Sequence, residues 1–191
     1  LETVIAYGYT GNFSVTSSPS NTWNCLGPYL LFLSTEIELC YAYAPNTSST
    51  QTWTCGTDAN FSGGCFVDVF DGTLTTAAVL DSYGGVTNVG SCTTSTISAA
   101  KNNEIFVTGI TNDTATGTVT YTNSLLTYFD TLPLTPGAYY SGAGGYAISE
   151  SGAVPYNWTV SVGGGQVCVG ALFFTTSAGS ATGILPPMMG R

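Results

Sequence analysis

From Thr3 to Thr175 the chain is written in short runs rich in Thr, Val, Tyr and Phe, broken by clusters of Gly, Pro, Ser and Asn. Nowhere does it carry the Leu-Glu-Lys-Ala periodicity of an amphipathic helix. β-Branched and aromatic side chains fit a pleated, half-buried surface, so such a chain is confined to sheets. The runs predict strands at Thr3–Tyr9, Asn21–Leu26, Glu36–Ala44, Gln51–Cys55, Cys65–Phe70, Glu104–Ile110, Leu125–Asp130, Gly144–Ser149, Asn157–Val162 and Val167–Thr175. Turns are expected at Ser17-Ser18-Pro19-Ser20, Pro45-Asn46, Ser62-Gly63-Gly64, Gly84-Gly85, Thr135-Pro136-Gly137 and Gly163-Gly164-Gly165. Strands this short and this regularly spaced predict an all-β fold, a two-sheet antiparallel β-sandwich of jelly-roll type. No seam divides the 191 residues, so one domain over 1–176 is expected, followed by an extended tail over 177–191.

Alternation assigns the faces. In Glu36-Ile37-Glu38-Leu39-Cys40-Tyr41-Ala42-Tyr43, the two glutamates point one way and Ile37, Leu39, Tyr41 and Tyr43 the other. Trp158, Val160 and Val162 share a face in the same manner. Val167–Phe174 is apolar on both faces and belongs in the interior of a sheet.

Six cysteines without a CxxC motif, in a chain lacking histidine, read as three disulfides rather than a zinc site. Cys25 and Cys40 flank a hairpin-like excursion through Pro28, and Cys55 and Cys65 bracket a loop; Cys92 and Cys168 then pair by elimination. Other pairings remain formally open, as do buried free thiols, since Cys packs as a small hydrophobe. Disulfides imply export to an oxidising, extracellular setting.

Charge narrows the function. Only 7% of residues are charged, against ~25% in ordinary domains. Lys101 and Arg191 are the only basic side chains, and the net charge is −9. Neutralising a phosphate backbone takes several clustered cations, so nucleic acid is excluded as a partner. No basic amphipathic stretch addresses an anionic membrane, and no apolar run approaches a membrane span, so no membrane insertion is expected. The missing imidazole removes the commonest general base, which leaves carboxylates alone to carry any catalysis.

The order of motifs resembles a bacterial and phage-associated β-sandwich surface domain of jelly-roll, concanavalin-like type. The resemblance rests on Val4–Tyr9, Ser20-Asn21-Thr22-Trp23, Cys40-Tyr41-Ala42-Tyr43-Ala44, Thr50–Thr54, Val67–Gly72 with Leu80-Asp81, Asn103–Gly109, Trp158 and Val167–Phe174. Two features depart from the pattern: Ser18 or Ser20 stands where an acidic residue is usual, and the strand that usually precedes the first one here is not in the chain. What the resemblance implies is a non-catalytic module of surface proteins, appendages and virion parts.

Candidate sites follow from residue type. Asp68, Asp71 and Asp81 surround a Gly turn and could hold a structural calcium, the one cofactor suggested; the plainer reading is a turn and a loop residue. Tyr83, Tyr139 and Tyr140 lie beside glycines, where exposed rings can stack on sugars, although most aromatics in such a chain are packing. Trp23, Trp53 and Trp158 read as core. Glu36, Glu38 and Glu104 have no obvious partner for two-carboxylate hydrolysis. Asn-x-Ser/Thr triplets occur at Asn12, Asn46, Asn60, Asn112 and Asn157, of which Asn157, inside a strand, is the poorest acceptor. In the tail, Ile184, Leu185, Pro186, Pro187, Met188 and Met189 form an apolar tip after a Gly/Ser stretch, suited to docking, while the plain alternative is a frayed end. The resulting expectation is a non-catalytic structural subunit of a surface appendage, coat or phage particle, assembling with copies of itself or other subunits through edge and tail contacts. A carbohydrate-binding adhesion module, with glycans as partners, is the alternative.

Overall fold

The computed structural model describes residues 1–9, 13–31, 35–56, 63–89, 92, 96–113, 119–121, 128–133, 141–155, 158–160 and 164–176. Its strands are β1 (Glu2–Tyr9), β2 (Val15–Ser18), β3 (Asn24–Leu31), β4 (Thr35–Ala42), β5 (Thr52–Cys55), β6 (Gly63–Val69), β7 (Leu80–Val89), β8 (Thr96–Asn112), β9 (Val119–Tyr121), β10 (Tyr128–Pro133), β11 (Ser141–Pro155), β12 (Trp158–Val160) and β13 (Gly165–Phe173). Among the described residues the only helical element is a short 3₁₀ turn, Ala77–Val79.

Two antiparallel sheets face each other. One is four-stranded in the order β3-β4-β1-β6, and the other five-stranded in the order β10-β11-β8-β13-β7. The inner faces follow the period of two. Ile5, Tyr7, Ile37, Leu39, Tyr41 and Phe66 of the first sheet pack against Ile105, Val107, Val167, Val169, Ala171 and Phe173 of the second. β13 pairs on both sides, with β8 and β7, and all nine of its residues are buried, as its unbroken apolar run requires.

The outer faces are covered too. Val4, Ala6, Cys40, Cys65 and Val67 project from the back of the four-stranded sheet and lie under the β2–β5 ribbon with Phe13, Trp23 and Trp53. On the back of the five-stranded sheet, Phe106, Ile110, Ala143, Cys168 and Leu172 pack with Trp158 of the β9–β12 ribbon. The Trp158 indole N–H donates to Thr108 Oγ1 at 2.9 Å, so the largest buried side chain leaves no orphan donor there.

The disulfides fasten these layers. Cys25–Cys40 joins β3 to β4, Cys55–Cys65 ties the β2–β5 ribbon to β6, and Cys92–Cys168 anchors a residue bridged to Trp158 onto β13. All three are the pairings expected from the sequence. They sit on outward-facing positions, away from the space between the sheets.

Two expected turns are strands. Gly84-Gly85 lies in mid-β7, and Gly63-Gly64 opens β6. The glycines are there for space rather than for bending. A Cβ on Gly85 would stand 2.3 Å from the Tyr29 ring, and one on Gly64 would stand 2.7 Å from the Tyr7 hydroxyl. Gly142 of β11 makes the same room on the far side of Tyr7, whose ring its Cβ would meet at 2.4 Å. Bulky rings from one sheet thus enter slots that only glycine leaves open.

Candidate functional site

Each main sheet has two edge strands, and an edge offers unpaired N–H and C=O groups to any extended chain unless something blunts it. On β3 the ladder breaks between Leu26 and Tyr29 around Pro28. β6 carries the inward-facing carboxylate of Asp68, and β10 contains Asp130 and Pro133. β7 has no such device from Ser82 to Val89: the segment contains no charge and no proline. Tyr83 on this strand is 52% exposed and Thr87 is exposed. The expected sugar-stacking residue Tyr83 is therefore on the surface. Burial, and then the nearby phenols of Tyr43 and Tyr83, raise the Tyr41 hydroxyl above its ordinary range, which places the three tyrosines in one neighbourhood. Tyr139, Tyr140 and the tail residues Ile184 to Met189 lie outside the described residues.

Beside this edge the β8–β11 ladder is broken. Glu104 pairs with Glu150, but the next pair is Ala99 with Gly152, so residues 100–103 stand opposite Ser151 alone. Asn103 adopts a φ of 67°, and beyond it the first half of β8 turns across the back of the sheet, where Ile97 and Val154 join the cluster around Trp158. At the crease, Asp81 Oδ2 accepts the Ala100 N–H at 2.8 Å and Glu104 Oε1 accepts the Lys101 N–H at 2.7 Å. The Lys101 ammonium sits over the Phe174 ring, 4.4 Å from its centroid. Glu104 is fully buried, and its Oε2 has no donor. Burial, reinforced by Asp81, raises the Glu104 carboxyl to about 7 despite the Lys101 backbone bond. With both groups ionised, neither has a hydrogen to offer; a proton on one makes the Asp81–Glu104 bond.

Comparison with protein-family models, curated proteins and solved structures finds no match.

The remaining acids are dispersed. Asp68 faces inward from β6 between Phe66 and Phe70, in register with Thr3 and near Tyr146, and burial lifts its carboxyl to about 7. Asp71 is exposed in the bend after β6. Asp68, Asp71 and Asp81 thus sit in the interior, in a bend and at the crease, and are not one of the metal-capable groups among the described residues. The group that does come together, Cys25, Glu38 and Cys40, has both sulfurs committed to a disulfide. Glu36 and Glu38 share the outer face of β4, as alternation requires; burial first and Glu38 second raise Glu36 to about 7. Glu2, which sequence reasoning passed over, is a buried organiser. It accepts from Gln51 Nε2 at 2.6 Å, Asn21 Nδ2 at 2.8 Å and the Trp53 indole N–H at 3.5 Å, pinning two distant segments to β1. Of the glycosylation triplets, Asn112 is fully buried, whereas Asn46 is exposed and donates to Ser20 O at 3.3 Å.

Proposed function

We propose that the chain is a non-catalytic extracellular structural subunit, jelly-roll-like in plan, of a surface appendage, coat or phage particle, and that it assembles through the β7 edge and the 177–191 tail. The observation that carries this reading is the β7 edge: among the described residues it presents an uncharged, proline-free run from Ser82 to Val89, while the β3 ladder breaks at Pro28 and β6 carries Asp68. A chain that had to remain solitary would be expected to guard it. Three disulfides support an oxidising setting. β13, the last strand among the described residues, ends at Phe173, and the Thr176 N–H bonds Gly72 O at 2.7 Å, so the chain is held to the sandwich as far as residue 176.

Sedimentation velocity of the full chain and of a chain lacking residues 178–191 tests the reading. Loss of the assembled species with an unchanged circular-dichroism spectrum is expected; an oligomer of the same size without the tail would contradict it. The exposed Tyr83 favours a second reading, a glycan-binding adhesion module that also uses Tyr139 and Tyr140. Glycan-array binding abolished by alanine at these three positions, in a chain that stays monomeric, would favour that reading instead.

A further inference from the structure

We propose that Asp81 and Glu104 form a weak divalent-cation site at the β8–β11 crease, selective for a hard, oxygen-seeking ion of the calcium class. Two independent features meet there. One is a pair of carboxylates from different strands, Asp81 at the start of β7 and Glu104 in β8, which accept the successive N–H groups of Ala100 and Lys101. The other is the state of Glu104 itself: the residue is 0% exposed, one oxygen is held by the Lys101 N–H, and Oε2 is buried without a donor. A buried carboxylate oxygen without a partner is costly, and two ionised carboxylates side by side are relieved by a positive charge. The neighbourhood does not supply it, because Lys101, the only cationic side chain among the described residues, has its ammonium over the Phe174 ring.

The crease can accommodate an ion. Asp81 is only half-buried and Lys101, Asn102 and Asn103 are exposed, so the rim of the crease is open to solvent while Glu104 Oε2 lies beneath it. Asp81 Oδ2 and Glu104 Oε1 are fixed by backbone N–H groups, which leaves each carboxylate one oxygen to turn toward a cation. A calcium ion takes 6 to 8 oxygens, so two from protein leave the rest to water; such sites in extracellular modules bind at roughly 10⁻⁴–10⁻³ M. Magnesium, which gives up its water reluctantly, fits less well.

The test is thermal unfolding at pH 8 with 10 mM calcium chloride, against magnesium chloride and sodium chloride at matched ionic strength. Site binding in this range shifts the unfolding equilibrium about tenfold to a hundredfold, a rise of roughly 3–10 °C in Tm. Asp81→Asn and Glu104→Gln should each lose the calcium-specific rise, while Asp71→Asn, an exposed acid away from the crease, should keep it. Glu104→Gln supplies the missing N–H, so its Tm without calcium should approach that of the calcium-loaded wild type. No calcium-specific rise, or an equal rise in all three variants, would overturn the site and leave only general screening of the negative surface.

Discussion

Replacing Asp68 by Asn removes a carboxyl that the fold holds between its two sheets, on the face that also carries Phe66 and Phe70. Burial raises this group from an ordinary 3.8 to about 7, with no cation to oppose the shift. Below the unfolded value, both folded and unfolded chains keep the proton, and the group is neutral to stability. As pH rises from there, the unfolded chain releases the proton while the folded chain must hold it, so stability falls until the folded group also ionises near pH 7. About three units at ~1.4 kcal/mol each gives a loss of about 4 kcal/mol across the window. Glu36 acts in the same direction, being raised to about 7 chiefly by burial, so the wild type should be more stable near pH 4 than near pH 7. Asp68→Asn should be more stable than wild type at neutral pH by up to about 4 kcal/mol and show a shallower slope. Urea unfolding followed by tryptophan fluorescence from about pH 4 to about pH 8 measures both. A wild type whose stability climbs over that window, or a variant with an unchanged slope, would refute the reasoning.

Two further outcomes follow from the packing. Cys92 and Cys168 are separated by 76 residues, so the Cys92→Ala/Cys168→Ala variant should lose about 4 kcal/mol in chemical unfolding, more than the ~3 kcal/mol expected for the Cys55–Cys65 pair with its separation of 10. Equal losses for the two pairs would contradict the loop-closure reasoning. Gly142→Ala drives a methyl to 2.4 Å from the Tyr7 ring, so it should cost about 1–3 kcal/mol by calorimetry, and a neutral result would mean that the slot for Tyr7 is not filled as described.

Much of this architecture is written locally. The alternation over residues 36–43 states which face of β4 meets the core, the unbroken apolar run 167–174 places β13 inside a sheet, and the cysteine spacings suggest the three bridges that form. What is not legible depends on partners far away in the chain. Gly84-Gly85 has the composition of a turn, and only the arrival of the Tyr29 ring from the opposite sheet explains why it is a strand. Glu104 looks like an unaccompanied acid because its companion, Asp81, is supplied by a different strand, whose carboxylate holds the Ala100 N–H at the crease of β8, and no local pattern announces this. Calcium was expected at Asp68, Asp71 and Asp81 because they are near in sequence; pleating turns Asp68 inward and leaves Asp71 in a solvent-facing bend. Glu2 escapes notice for the same reason, since its three donors come from residues 21, 51 and 53.

The β7 edge can be followed directly by amide hydrogen exchange of the assembled and dissociated protein under oxidising conditions. In an isolated sandwich the outward N–H groups between Ser82 and Val89 exchange with water; when a neighbouring subunit adds a strand there, they become protected together. Protection of that segment on assembly, lost again in a Tyr83→Lys/Thr87→Lys variant, is the expected result. Assembly with β7 still exchanging freely, or a chain that never assembles, would contradict it.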